Sequence, residues 1–181
     1  MTIRDILTIP DPLLRERCVP VAAVDDAVRA LMDDMLETMY DAPGIGLAAS
    51  QIGVMKRVVV IDTSSRKTED GEGAEIEPRD PLFLVNPEIT WLSEDISVYQ
   101  EGCLSIPEYF EDVERPAEIK VRFLDRNGKQ DEMHCAGLLA TVVQHEVDHL
   151  NGVLFIDHIS KLKRDRVWKK FAKAKKRGEA V

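Results

Sequence analysis

The stretch "GLLATVVQHEVDHLNG" at 137–152 limits the possible folds more than any other part of the chain. It reads as one helix, closed by Gly152 just past its end. His145 and His149 are four residues apart, so both imidazoles leave the same face. Leu138 and Val142 lie seven residues before them on that face, which is therefore apolar and expected to be buried. Burying two imidazoles without partners is costly, whereas a shared metal ion satisfies both. Glu146 lies one position round the helix, completing H-E-x-x-H, in which two histidines bind a metal and the glutamate handles a proton. A solvated helix with surface histidines would suit the charges but not the apolar face.

A catalytic centre of this kind needs a third protein ligand and an open position for water. Asp157 and His158 are the downstream candidates, although they follow Gly152 closely. Upstream, "YQEGCLSIP" at 99–107 offers Cys103 at the end of an expected strand. Gly102 lets the backbone approach closely there, and a bound metal would keep the cysteine as thiolate.

A second motif competes for interpretation. In "PGIGLAASQIG" at 43–53, Gly44, Gly46 and Ala49 fit the G-x-G-x-x-A spacing of a dinucleotide-binding turn. That turn needs a strand before it and a helix after it. Here Val28, Leu31, Met32, Met35 and Met39 form the apolar stripe of an amphipathic helix, capped by Asp25 or Asp26 and stopped by Pro43. "KRVVVID" after the loop reads as a strand. The order is helix, loop, strand, so the nucleotide reading loses its context.

The remaining segments support an α+β class with mainly antiparallel sheet. "LFLVNPEITWL" and "ISVYQEGCLSI" read as strands, and "EIKVRFLDRNGKQDEMHC" as a hairpin turning at Asp125 to Gly128. Residues 63–81, polar and acidic with Gly and Pro, read as an exposed loop between strands. The length of 181 residues suits one domain, 1–181. No apolar run approaches a membrane span, and "MTIRDILTIPDPLLRERC" lacks a basic-then-apolar leader, so a cytoplasmic protein is expected. Cys18 and Cys135 read as buried reduced thiols, since three cysteines at this spacing form neither a disulfide framework nor a zinc clip. The net charge of −9 is uneven: 157–181 carries ten Lys/Arg against three Asp/Glu, or +7, leaving −16 on 1–156. An acidic body argues against DNA, and only the basic C-terminal tail, read as a helix, suits a polyanion.

Taken in order, "GIGLAASQ", "EGCLS" and "QHEVDH" resemble the three motifs of peptide deformylase. The likeness runs from "IPDPLLR" to "GVLFIDHIS". It implies the deformylase fold, antiparallel sheets enclosing a central H-E-x-x-H helix with a C-terminal helix. The activity implied is removal of formyl from the N-terminal formylmethionine of nascent peptides, as formate. Cys103, His145 and His149 are then the metal ligands and Glu146 the proton carrier. The Gln51 amide and Leu104 N–H become the donors to the formyl oxygen. Gly44, Ile45, Gly46, Leu138 and Val142 contact the substrate, whose methionine slot ends at His145. The peptide is expected to add as an extended strand at the sheet edge near Gly46. One divalent ion is implied, Fe2+ in the cell, with Zn2+, Ni2+ or Co2+ possible in purified protein. The resemblance also points the tail at ribosomal RNA beside the exit tunnel, and a monomer is expected. The chain departs from some relatives in its longer 63–81 loop and in Phe110, where some members place a basic residue, so preference beyond methionine is open. Glu101, Arg115 and Asp148 are expected to form a structural charge network near the site. Two other readings are a noncatalytic metal- or ribosome-associated protein, which would not need Glu146 and Gln51, and a zincin endopeptidase, which leaves Cys103 without a role.

Overall fold

The computed structural model describes residues 2–64 and 178 is the last described position of the second segment, which begins at 78. Most of the expected 63–81 loop lies outside these residues.

Helix α1 (Asp26–Asp41) follows from local chemistry, with the Asp25 side chain accepting from the Val28 N–H at 2.9 Å. Its buried face is Val28, Leu31, Met32, Met35, Thr38 and Met39, which contains the whole apolar stripe expected from spacing. Strand β1 (Gly46–Ala48) is short and pairs with β2 (Val58–Ile61). Four consecutive β-branched residues make β2 a strand buried on both faces. Val58 and Val60 pack with the α1 methionines, while Val59 and Ile61 join a separate core on the other face.

Strands β3 (Leu82–Leu92), β6 (Glu118–Leu124) and β7 (Gln130–Ala136) complete a five-stranded sheet in the order β1-β2-β3-β6-β7, every pair antiparallel. The β6–β7 turn is held by Asp125, whose carboxylate accepts from the Asn127 and Lys129 N–H groups, with Gly128 at φ 78°. Strands β4 (Ile96–Cys103) and β5 (Ile106–Pro116) form a separate two-stranded sheet. The expected strand "ISVYQEGCLSI" ends at Cys103, and its Ile106 opens β5, whose residues 107–116 carry no element in the sequence reading.

Helix α2 (Gly137–Leu150) carries H-E-x-x-H and lies on the large sheet, opposite the α1 layer. Ala140, Val143, Val147 and Leu150 meet Val59, Leu84, Ile119 and Val121 there. Burying each such side chain contributes roughly 1.5–3 kcal/mol for the larger ones. The β4–β5 hairpin covers the histidine side, so α2 is enclosed by antiparallel sheets as expected. Cys18 and Cys135 are buried and free.

Helix α3 (Lys161–Arg177) begins at Ser160, whose side chain accepts from Lys163 N–H, and ends at Gly178 with φ 67°. Val167 and Phe171 are buried in a third core with Ile9, Leu14 and Phe155. The Arg15 guanidinium sits 5.2 Å from the Trp168 ring. Helix α3 is thus docked on the body, with Lys169, Lys170, Lys173, Lys175 and Lys176 exposed. No helix of the described residues is long and apolar enough to cross a membrane.

Candidate active site and metal centre

Cys103, at the end of β4, meets His145 and His149 from α2, and their ligand atoms all lie within 4.8 Å of one another. Cys103 Sγ is 3.2 Å from His149 Nε2. Metal–sulfur bonds near 2.3 Å and metal–nitrogen bonds near 2.0–2.1 Å set tetrahedral ligands roughly 3.3–3.8 Å apart. A thiolate and two imidazoles converging at this spacing fit one divalent transition ion. His145 and His149 are 8% and 1% exposed, as the apolar face required.

The neighbouring groups set the protonation of the ligands. Glu101 Oε2 accepts from His145 Nδ1 at 2.9 Å, which leaves the other ring nitrogen as a lone-pair donor toward the cluster. Glu101 is held in turn by Arg115, through Nε at 2.6 Å and Nη2 at 3.0 Å. Arg115 Nη1 donates to Asp148 at 2.8 Å, and His158 Nε2 contacts the same carboxylate oxygen at 2.7 Å. Burial opposes ionising Glu101, yet the His145 and Arg115 hydrogen bonds keep its carboxyl below the usual range. The network expected among Glu101, Arg115 and Asp148 is therefore present, and its Glu101 end reaches His145 directly.

The two downstream candidates for a third ligand are engaged elsewhere. Asp157 is paired with Arg15, and His158 with Asp148. Neither belongs to the Cys103 cluster.

Glu146 is 4% exposed, and its Oε2 has no hydrogen-bond partner among the described residues. Burial raises its carboxyl from the usual range to about 7. A carboxyl at that value can both take and return a proton near neutrality. Gly46 makes room for it: a side chain there would begin inside van der Waals contact of Glu146 Oε1.

Gln51 is 1% exposed. Its Oε1 accepts from the Ala48 N–H at 2.9 Å, which fixes the amide orientation. The Nε2 end therefore faces Ser105 Oγ at 3.1 Å and Cys103 Sγ at 3.6 Å. Ser105, wholly buried, is a contact that sequence reasoning missed. Its only signal is its place two residues beyond Cys103. Leu104 sits in the turn between Cys103 and β5, where the bare Gly44 admits its side chain.

These groups open onto a cavity of about 420 Å³. Gly44, Ile45 and Gly46 line one side, Gly102, Cys103 and Leu104 another, and Leu138, Val142, His145 and Glu146 the helix side. Every sequence-derived site residue except His149 borders it, and His149 lies behind Cys103. Glu108 and Phe110 are at the exposed rim. The cavity thus lies between the edge of β1 and the β4 strand, an apolar slot with Glu146 and the Cys103–His145–His149 cluster at its end. Such a place can hold an extended peptide and hydrolyse a bond at its terminus.

A family model described as polypeptide deformylase matches residues 3–165. The peptide deformylase of Methylocella silvestris is 58% identical over 176 residues, 97% of this chain and 87% of that protein. The peptide deformylase of Rhizobium meliloti is 56% identical over 97% of this chain and 96% of its own length. Among solved structures, the peptide deformylase of Ehrlichia chaffeensis superposes with a TM-score of 0.87 at 38% identity, covering 98% of this chain and 99% of the other.

Proposed function

The chain belongs to the polypeptide deformylase family, and from that premise we propose which of its residues perform the reaction. It is a metal-dependent hydrolase that removes the N-formyl group from the formylmethionine of nascent polypeptides, releasing formate. The observation that carries the residue assignment is the convergence of Cys103, His145 and His149 at the end of an apolar slot, beside a buried Glu146 whose Oε2 has no hydrogen-bond partner among the described residues.

Cys103, His145 and His149 hold the ion, with Glu101 orienting His145. A bound divalent ion supplies Lewis acidity and makes water a competent nucleophile near neutral pH. Glu146 accepts the proton of the attacking water and later returns it to the leaving amine. Gln51 Nε2 and the Leu104 N–H donate to the formyl oxygen as it gains charge, each donor worth roughly 3–4 kcal/mol in comparable hydrolases. Ile45, Leu138 and Val142 take the methionine side chain, and the peptide backbone adds beside Gly44 and Gly46. Reading backbone rather than side chains suits an enzyme whose substrates share only their first residue. The thiolate–imidazole donor set suits zinc, iron, cobalt or nickel alike, and the family resemblance supports ferrous iron in the cell. The chain acts as one domain in the cytoplasm, where nascent chains are found.

Anaerobic reconstitution with Fe2+, Zn2+, Co2+ or Ni2+ followed by assay on formyl-Met-Ala tests this reading. Formate release is expected, highest with iron. Cleavage of an internal peptide bond without formate would reject it in favour of an endopeptidase.

The basic helix α3 docks through Val167 and Phe171 and turns Lys169, Lys173 and Lys176 outward. These cations meet ribosomal RNA near the tunnel exit, a role supported by the +7 charge of 157–181 on an acidic body. Removing the helix would also strip Val167 and Phe171 from the core, so charge reversal is the cleaner test. A Lys169→Glu, Lys173→Glu, Lys176→Glu variant should keep turnover of formyl-Met-Ala and lose salt-sensitive co-sedimentation with ribosomes. Equal co-sedimentation at low salt would reject the role.

A further inference from the structure

The apolar surface continues past the mouth of the cavity. Phe110, at the rim, is 59% exposed, and its ring covers Gly102, where a side chain would collide with it. Going back along β4 from Gly102, Gln100, Val98 and Ile96 follow at every second position and share the outward face. Val98 and Ile96 are each 57% exposed. The register sets Asp112 opposite Gln100 and Glu114 opposite Val98, so both acids stand on the same face. The result is a strip of aliphatic side chains edged by carboxylates. It begins where the substrate must leave the cavity and runs about 20 Å at strand rise.

We propose that this strip, Phe110 to Val98 to Ile96, docks the part of the nascent chain downstream of the formylmethionine, favouring segments that mix apolar and basic residues. The inference rests on the cavity being the substrate site. Two observations select the occupant. The strip is continuous with the cavity through Phe110 and Gln100, both of which line it. Its charge is complementary to a basic segment, since Asp112 and Glu114 are exposed beside it. At about 3.3 Å per extended residue, substrate residues from about the fifth to the ninth would lie along it. Apolar side chains at alternate positions would cover Val98 and Ile96, and lysines between them would reach the two carboxylates. This adds an affinity for chain length to an enzyme whose slot reads only the first residue.

The test uses three formylated substrates with the metal-loaded enzyme: formyl-Met-Ala-Ser, a nonapeptide with alternating Leu and Lys at positions 5–9, and one with Asp and Ser there. Wild type should show kcat/KM for the Leu/Lys peptide about fivefold or more above the tripeptide, through KM, consistent with partial burial of two aliphatic side chains. The Asp/Ser peptide should show no gain. An Ile96→Lys, Val98→Lys variant should lose the gain while its tripeptide kinetics stay at wild type, which also reports that it is folded. An Ile96→Thr, Val98→Thr variant should fall between. Equal kcat/KM for all three peptides in wild type, or a lysine variant that keeps the full gain, would overturn the proposal. Absence of any tripeptide turnover by wild type would instead overturn the reading of the cavity, and the strip with it.

Discussion

Glu146→Ala is expected to retain its ion and to lose deformylation by two orders of magnitude or more. The proposed ligand atoms belong to Cys103, His145 and His149, and Glu146 is not among that cluster. Its Oε2 makes no hydrogen bond among the described residues, so the substitution severs none at that atom and enlarges a cavity already present. What disappears is the group proposed to take a proton from water and pass it to the amine. Metal content by elemental analysis should stay near one per chain, while kcat on formyl-Met-Ala falls and KM changes little. A variant with wild-type turnover would remove Glu146 from the mechanism. One that loses its ion would make the glutamate a ligand.

Cys103→Ser should lose both ion and activity, because a soft thiolate is replaced by an alcohol that ionises poorly. The side chain is nearly isosteric, and the 3.2 Å approach of His149 Nε2 to Sγ would survive as an ordinary hydrogen bond. Folding should therefore change little, and far-UV circular dichroism should resemble wild type. Dialysis against a chelator should empty the variant at concentrations that leave wild type loaded. His158→Ala is the control, since His158 binds Asp148 and stands outside the cluster. Normal ion retention and turnover by Cys103→Ser, with their loss in His158→Ala, would move the third ligand downstream of the helix.

The helices were legible in the sequence because each carries a periodic apolar stripe and a local stop. The α1 stripe from Val28 to Met39 is buried as expected, with Asp25 capping it. The Cys103–His145–His149 cluster was partly legible for a related reason, its two histidines being one helical turn apart on an apolar face. β5 was not legible, because its alternation is broken by what it buries. Arg115 occupies an inward position at 5% exposure, paired with Glu101, where a strand pattern calls for an apolar residue. Phe110 over Gly102 was hidden too, since that contact depends on the register shift between Gly102 and Cys103. The Gln51 amide orientation likewise depends on a backbone N–H three residues earlier, a matter of loop shape that composition does not encode.

Ten of the fourteen residues of α2 are buried, from Ala140 to Leu150. Its amides therefore have no cheap route to solvent, and hydrogen exchange there requires the surrounding core to open. His145, Glu146 and His149 thus ride on a segment that cannot melt by itself. Loss of activity on heating should coincide with global unfolding rather than precede it. Substitutions within α2 therefore disturb the core and the site together, whereas Glu108 and Phe110 stand at the exposed rim, outside the helix and its core.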